Sequence, residues 1–353
     1  MSEAIDAYET AMEISWNFDY EMGIEKLRNL YAKSKKAQWD AAEDIDWSLP
    51  VDPSKPILDD ERFGFGMMPF VQRLSKSQQE TFRAHVGGQR LSQFLHGEQG
   101  ALMTAAALTH AVPDYEGKLY AATQTMDEAR HVEVFERYLR KLALVYPMSP
   151  WLKQLIDATL QADHWVKIAI GMNMVVEGLA LGAFHNMRRQ TACDLMRSIV
   201  EGVLRDESRH VAFGNVYVGK TLSEMNEDER EDVADFAYEA LMLMVRASGR
   251  SPDGKVDGPP QPDPTFRLVL ENSGIEPADF LAGVKEARAQ GVQFDQPPGS
   301  IHSYKDLMMP ALVRVGAITE RIRAKLAAQG LHIFEDATVL ESLEDRDTGE
   351  VNL

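Results

Sequence analysis

The stretch Asp127-Glu128-Ala129-Arg130-His131 returns almost letter for letter as Asp206-Glu207-Ser208-Arg209-His210. On a helix, residues three apart share a face, so each copy turns one carboxylate and one imidazole toward the same spot. A lone Glu-x-x-His is common and is usually a solvated pair. Two copies of a five-residue word need another explanation, and the residues upstream supply it. Glu98 precedes Glu128 by thirty positions, and Glu177 precedes Glu207 by thirty.

Apolar periodicity places all four glutamates on long helices. The first is predicted over about Ser77 to Ala111, where Leu91, Phe94, Leu95, Ala101, Leu102 and Ala105 surround Glu98 on one apolar stripe. The second runs from about Asp114 to Val145, its stripe carrying Ala121, Thr125, Glu128, His131, Phe135, Tyr138 and Leu142. After a short helix from Trp151 to Leu160, the third is expected to start at Asp163 as N-cap and to bury Ile170, Met174, Glu177, Ala180, Leu181 and Phe184. The fourth follows a turn at Arg189–Thr191 and carries Val200, Val203, Leu204, Glu207, His210, Val211 and Gly214. Glu98 and Glu128 each stand about 21 Å along their helices from the Val112–Asp114 turn, and Glu177 and Glu207 are nearly symmetric about Ala192. Each antiparallel pair therefore brings its glutamates to one depth. Spacing leaves open whether the second and third helices are neighbours or are joined by a long crossover.

An ionised carboxylate in an apolar interior is costly unless paired or metal-bound. Two divalent cations would cancel the four charges of Glu98, Glu128, Glu177 and Glu207. Together with His131 and His210 these make an oxygen-rich donor set suited to iron or manganese. Asp127 and Asp206 are expected to receive the second N–H of the imidazoles, each across to the opposite helix. Arg130 and Arg209 are expected to hold those aspartates.

The rest of the chain bounds the reading. Residues 1–76 look like a polar N-terminal helical extension, with residues 1–47 helical and an irregular Pro- and Asp-rich connection following. The bundle and a fifth helix, capped by Asn226 with Glu229, occupy 77–248. Residues 249–264 hold Gly249, Pro252, Gly254, Gly258, Pro259, Pro260, Pro262 and Pro264 and read as a loop and candidate lid. A C-terminal extension, 265–353, is expected to pack on the bundle, helical at Pro277–Gln290 and Ser303–Gln329, with a frayed acidic tail from Glu341. The fold class is all-α. A net charge of -18 argues against nucleic acid and anionic membrane surfaces. No stretch reaches about 18 consecutive apolar residues. A single cysteine, Cys193, excludes a disulfide framework and fits a reducing compartment. With an N-terminus unlike a signal peptide, the expected setting is cytoplasmic.

Glu98, the word at 127–131, Glu177 and the word at 206–210 together resemble the ferritin-like di-iron oxygenases. They are most similar to the hydroxylase subunits of bacterial multicomponent monooxygenases and to the arylamine N-oxygenases. Lys36-Ala37-Gln38-Trp39-Asp40 and Asp44-Ile45-Asp46-Trp47 resemble the hydroxylases more weakly. The resemblance covers roughly residues 25–220. It implies a ferritin-like bundle with a long crossover and reductive activation of O2. Glu98, Glu128 and His131 would bind one metal, and Glu177, Glu207 and His210 the other, with one or two glutamates bridging. Two Fe ions are implied, with a Mn/Fe pair as the variant, and a homodimer is expected. The chain departs from its relatives at several positions. Phe135 stands where ribonucleotide reductase small subunits place a radical tyrosine. Val203 stands where the arylamine N-oxygenases add a third histidine, and Leu181 where the hydroxylases carry a threonine. Gly100 and Met172 stand where the R2-like ligand-binding oxidases cross-link a valine to a tyrosine.

The expected activity is oxidation of a small apolar or aromatic molecule by O2, as hydroxylation or N-oxidation. Phe94, Ala101, Leu102, Phe135, Leu181 and Phe184 are the candidate pocket. Electrons must come from a reductase or ferredoxin, because no flavin or iron–sulfur motif is present. The alternatives are an iron-handling ferroxidase and a di-metal ligand-binding protein without turnover.

Overall fold

The computed structural model describes residues 7, 9–10, 12–52, 57, 64–142, 144–247, 263–292 and 297–348, and every regular element among them is helical. α1 (Glu25–Lys36) and the short α2 (Pro69–Arg73) precede two long rods, α3 (Lys76–Ala111) and α4 (Tyr115–Leu142). α5 (Pro150–Leu160) leads to the third rod. That rod joins α6 (Trp165–Ala169), a π-helical segment (Ile170–Val176) and α7 (Glu177–Gln190). α8 (Asp194–Glu224) is the fourth rod, and α9 (Glu227–Ala247) follows it. Then come α10 (Pro264–Asn272), α11 (Pro277–Ala289), α12 (Met309–Arg314), α13 (Glu320–Ala328) and α14 (Thr338–Thr348).

Local chemistry fixes the ends of these rods. α3 opens with a capping box in which Ser75 accepts from the Gln78 amide and Gln78 reaches back to the Ser75 amide. It stops at Val112, held extended by the following Pro113. α5 has Pro150 in its first turn, where a missing N–H costs nothing. Asn226 and Glu229 exchange the expected pair of hydrogen bonds at the start of α9, both 3.0 Å.

α4 packs against α3 and α8, while the third rod packs against α8 and, through its π segment, against α3. The second and third rods thus stand at opposite corners of the bundle. The connection containing α5 crosses from one corner to the other, which settles what spacing left open. The third rod, Trp165–Gln190, is long and apolar enough to span a membrane, with mean hydropathy 1.5 over its best window. Of that window 83% is buried inside the fold, where it supplies the bundle core.

Several expectations change. Among the described residues of 1–47, α-helix is confined to α1, and the described part before it is irregular. There Ser15 and Asn17 are tied to the α3–α4 turn while Trp16 and Phe18 point outward. The third rod is capped by His164 rather than Asp163, because the His164 ring accepts from the Val166 amide at 3.2 Å. The single helix expected at Ser303–Gln329 is broken into a π turn (Ser303–Met308), α12 and α13. The acidic tail is not frayed through Thr348: α14 buries Leu340 and Leu343, and Glu344 bonds Asn215 and Arg314. α10 was not anticipated; the rest of the candidate lid, residues 249–262, lies outside the described residues.

The break after α12 has a local cause. Gly316 has φ +84, and the amides of Gly316 and Ala317 bond back to Val313 and Leu312 at 3.1 and 3.0 Å. A left-handed residue closing a helix in this way favours glycine. Gly316 is exposed, so its replacement tests backbone conformation alone. Gly316→Ala should lower unfolding free energy by about 1 kcal/mol in urea titration, and Gly316→Asn by less.

Candidate di-metal centre

The four rods deliver their glutamates and histidines to one buried point. Glu98, Glu128, Glu177 and Glu207 are at most 5% exposed, and His131 and His210 are fully buried. Ligand atoms from Glu98, Glu128, His131 and Glu207 lie within 4.8 Å of one another, as do those of Glu128, Glu177 and His210. Glu128 belongs to both groups. Glu207, expected with Glu177 and His210, reaches toward the other group, with Oε1 3.3 Å from His131 Nδ1 and Oε2 3.9 Å from His210 Nδ1.

Each ring presents the same edge to the cluster. His131 Nδ1 lies 3.2 Å from carboxylate oxygens of both Glu98 and Glu128, and its Nε2 is 3.2 Å from Asp206. His210 Nδ1 lies 3.0 Å from Glu128, and its Nε2 is 3.4 Å from Asp127. Each aspartate thus serves the histidine of the opposite helix, as the sequence suggested. Arg130 holds Asp127 at 2.5 Å and Asp206 at 3.0 Å; Arg209 bonds Asp206 and lies 3.8 Å from Asp127. This layer fixes the imidazole orientation and leaves Nδ1 as the donor atom.

The sequence reading missed the side chains that complete the layer. Gln38 donates to Asp127 at 2.8 Å and accepts from Arg130 at 2.8 Å. Ser34 of α1 donates to Asp127 at 3.4 Å. The Trp39 indole donates to Asp206 at 2.7 Å, with the Arg130 guanidinium 4.7 Å from its ring centroid. Gly202 leaves room for that indole, since a Cβ there would sit 3.0 Å from it. On the other side Gln124 donates to Glu177 at 2.7 Å, and Asn173 donates to the second oxygen of Glu177 at 3.0 Å. Gln124 and Asn173 each stand four residues before a ligand glutamate, a polar residue on an apolar stripe. That signal was readable.

Burial raises the proton affinity of Glu98, Glu177 and Glu207, with Glu98 and Glu177 well above the carboxylate range. Burial acts against the charge of Glu128 too, but His210 and His131 together hold it well below that range. Both histidines are pushed well above neutrality: burial opposes this, and Glu98 for His131 and Glu128 for His210 outweigh it. Without cations, protons do the neutralising. In this dry cluster Glu207 Oε2 has no hydrogen-bond partner in the protein. This orphaned oxygen and the oxygen-rich set with one imidazole per group fit a pair of iron or manganese ions.

Of the candidate pocket residues, Ala101, Phe135, Leu181 and Phe184 lie in the main core, Phe94 packs on it, and Leu102 is half-buried. The rings of Phe94, Phe135 and Phe184 pack on one another at 4.7–6.1 Å and fill this apolar end of the bundle. A surface hollow of about 740 Å³ is lined by Trp39, Gly202 and Arg205 but by none of the clustered glutamates or histidines.

A four-helix bundle with this donor set is a ferritin-like di-metal carboxylate protein. The chain belongs to the family described as P-aminobenzoate N-oxygenase AurF, whose model matches residues 23–272, and it is an oxidoreductase. The match runs beyond residue 220, through α9 and α10. No curated protein matches. Among solved structures, one variant of an R2-like ligand-binding oxidase with an anaerobically reconstituted Mn/Fe cofactor is 17% identical, with TM-score 0.48, covering 89% of this chain and 95% of that one. Another such oxidase, with an aerobically reconstituted Mn/Fe cofactor, is 17% identical, with TM-score 0.45 over 90% and 96%. A protein with aldehyde deformylating oxidase activity from Synechococcus is 17% identical, with TM-score 0.45 over 74% and 100%.

Metal entry must displace the protons that burial holds on Glu98, Glu177 and Glu207 and those that the neighbouring carboxylates hold on the two histidines. Raised affinities mean that these groups hold their protons to higher pH than free carboxylic acids and imidazoles do. Metal affinity should therefore climb with pH, about tenfold per unit for each proton released. Calorimetry of anaerobic Fe(II) or Mn(II) binding in buffers of different ionisation enthalpy should show net proton release. Affinity independent of pH would contradict this electrostatic account.

Proposed function

We propose that this protein is an O2-activating oxygenase that transfers oxygen to a small aromatic molecule, with a primary amine nitrogen as the favoured target. The carrying observation is the buried set of Glu98, Glu128, His131, Glu177, Glu207 and His210 in a chain of the N-oxygenase family. When bound, a redox-active metal pair supplies the reductive activation of O2. One oxygen atom goes to the substrate and the other to water, with two electrons and two protons drawn from an external donor such as a ferredoxin or reductase.

The chain's own residues supply orientation and exclusion of water. Asp127 and Asp206 hold the imidazoles, Gln124 and Asn173 hold Glu177, and the fully buried aromatic cluster of Phe135 and Phe184 keeps one end of the centre dry. Val203, fully buried, stands at the position of the third histidine of the arylamine N-oxygenases. The proposed centre therefore works with six donors, and hydroxylation at carbon is the second reading.

Protein loaded anaerobically with Fe(II), then given O2, a reductant and 4-aminobenzoate, should consume O2 in a substrate-dependent way and yield a product carrying one added oxygen on nitrogen. Accumulation of ferric mineral would favour iron handling instead. Absence of both would leave a ligand-binding protein.

A further inference from the structure

Resting on the oxygenase reading above, we propose that Asn173 is the residue that selects the substrate: its side-chain carbonyl accepts a hydrogen bond from the amino group of a primary aromatic amine.

Asn173 is fully buried in the π segment one turn before Glu177. Its Nδ2 meets three acceptors: Gln124 Oε1 at 3.1 Å, Glu177 Oε2 at 3.0 Å and the His210 carbonyl at 3.3 Å. Turning the amide over would set its oxygen against those same three acceptors, so the neighbours fix its orientation. Oδ1 is then left with no partner in the protein. Native folds rarely keep a buried acceptor unmet, and an exception points to a role.

The neighbouring amide has nothing left to offer. The Gln124 nitrogen donates to Glu177 and, at 3.4 Å, to Glu128, and its oxygen accepts from Asn173. Both Glu177 oxygens are likewise engaged. Within this polar layer Asn173 Oδ1 is the acceptor without a donor, and it shares an amide with the nitrogen that holds Glu177. Its position is set from α8 as well. Gly214 lets that backbone close on Asn173, since a Cβ there would lie 2.7 Å from the Asn173 Cβ. A site built to accept a substrate N–H rejects an analogue of the same shape that lacks it, because its polar atom stays unpaired.

The test compares 4-aminobenzoate with 4-methylbenzoate, which matches its shape but has no N–H at that position. Calorimetry on anaerobic, metal-loaded protein should show the amine binding about tenfold tighter or more. In Asn173→Leu, of similar size but without the acceptor, the two ligands should bind alike, with metal content measured alongside because Asn173 also holds Glu177. Equal affinity in the native protein, binding of neither ligand, or discrimination that survives in Asn173→Leu would each overturn the assignment. If the variant fails to fold or to hold metal, the comparison of the two ligands on the native protein decides alone. Native protein that loads metal and oxidises a substrate without discriminating the pair would refute the role of Asn173 and leave the oxygenase reading intact. Native protein that takes up no metal would end both.

Discussion

Four carboxylates converge where water does not reach, and the rest of the structure answers to that constraint. Charge at such a depth must be met by cations or quenched by protons. The protein does not neutralise the cluster with its own arginines. Arg130 and Arg209 stand one layer out, on Asp127 and Asp206, so the inner layer presents unspent negative charge and two imidazole nitrogens. Such a cluster invites cations and holds protons where they are missing.

The outer layer explains why the chain needs more than four rods. α1 and the turn after it bring Ser34, Gln38 and Trp39 against the two aspartates. Each aspartate in turn fixes a histidine from the opposite helix. The centre is thereby tied to residues more than eighty positions away. On the third rod, the π segment and α7 place Asn173 and Glu177 together, and π-helical turns inside longer helices often mark functional positions.

Much of this was legible in the sequence. The repeated word and its thirty-residue spacing from Glu98 and Glu177 located all six donors, because helical periodicity converts spacing into direction. Cross-helix pairing of Asp127 with His210 and Asp206 with His131 also followed, since an imidazole bound through one nitrogen needs an acceptor for the other. Spacing within one helix says little about partners on another. Trp39 and Gln38 therefore carried no readable signal beyond a weak family likeness. Spacing alone could not say that Glu207 would lie near both His131 and His210, because that depends on side-chain torsions. The Ser303–Gln329 helix was over-extended because apolar periodicity continues across Gly316, whose backbone conformation ends it. The tail after Glu341 looked frayed by its charge, yet Leu340 and Leu343 are buried.

The account depends on cations taking the place of protons among Glu98, Glu128, Glu177 and Glu207. The most direct measurement is elemental analysis of protein loaded anaerobically with Fe(II) and freed of loosely held metal by gel filtration. Two ions per polypeptide are expected. One ion, or none, would contradict it.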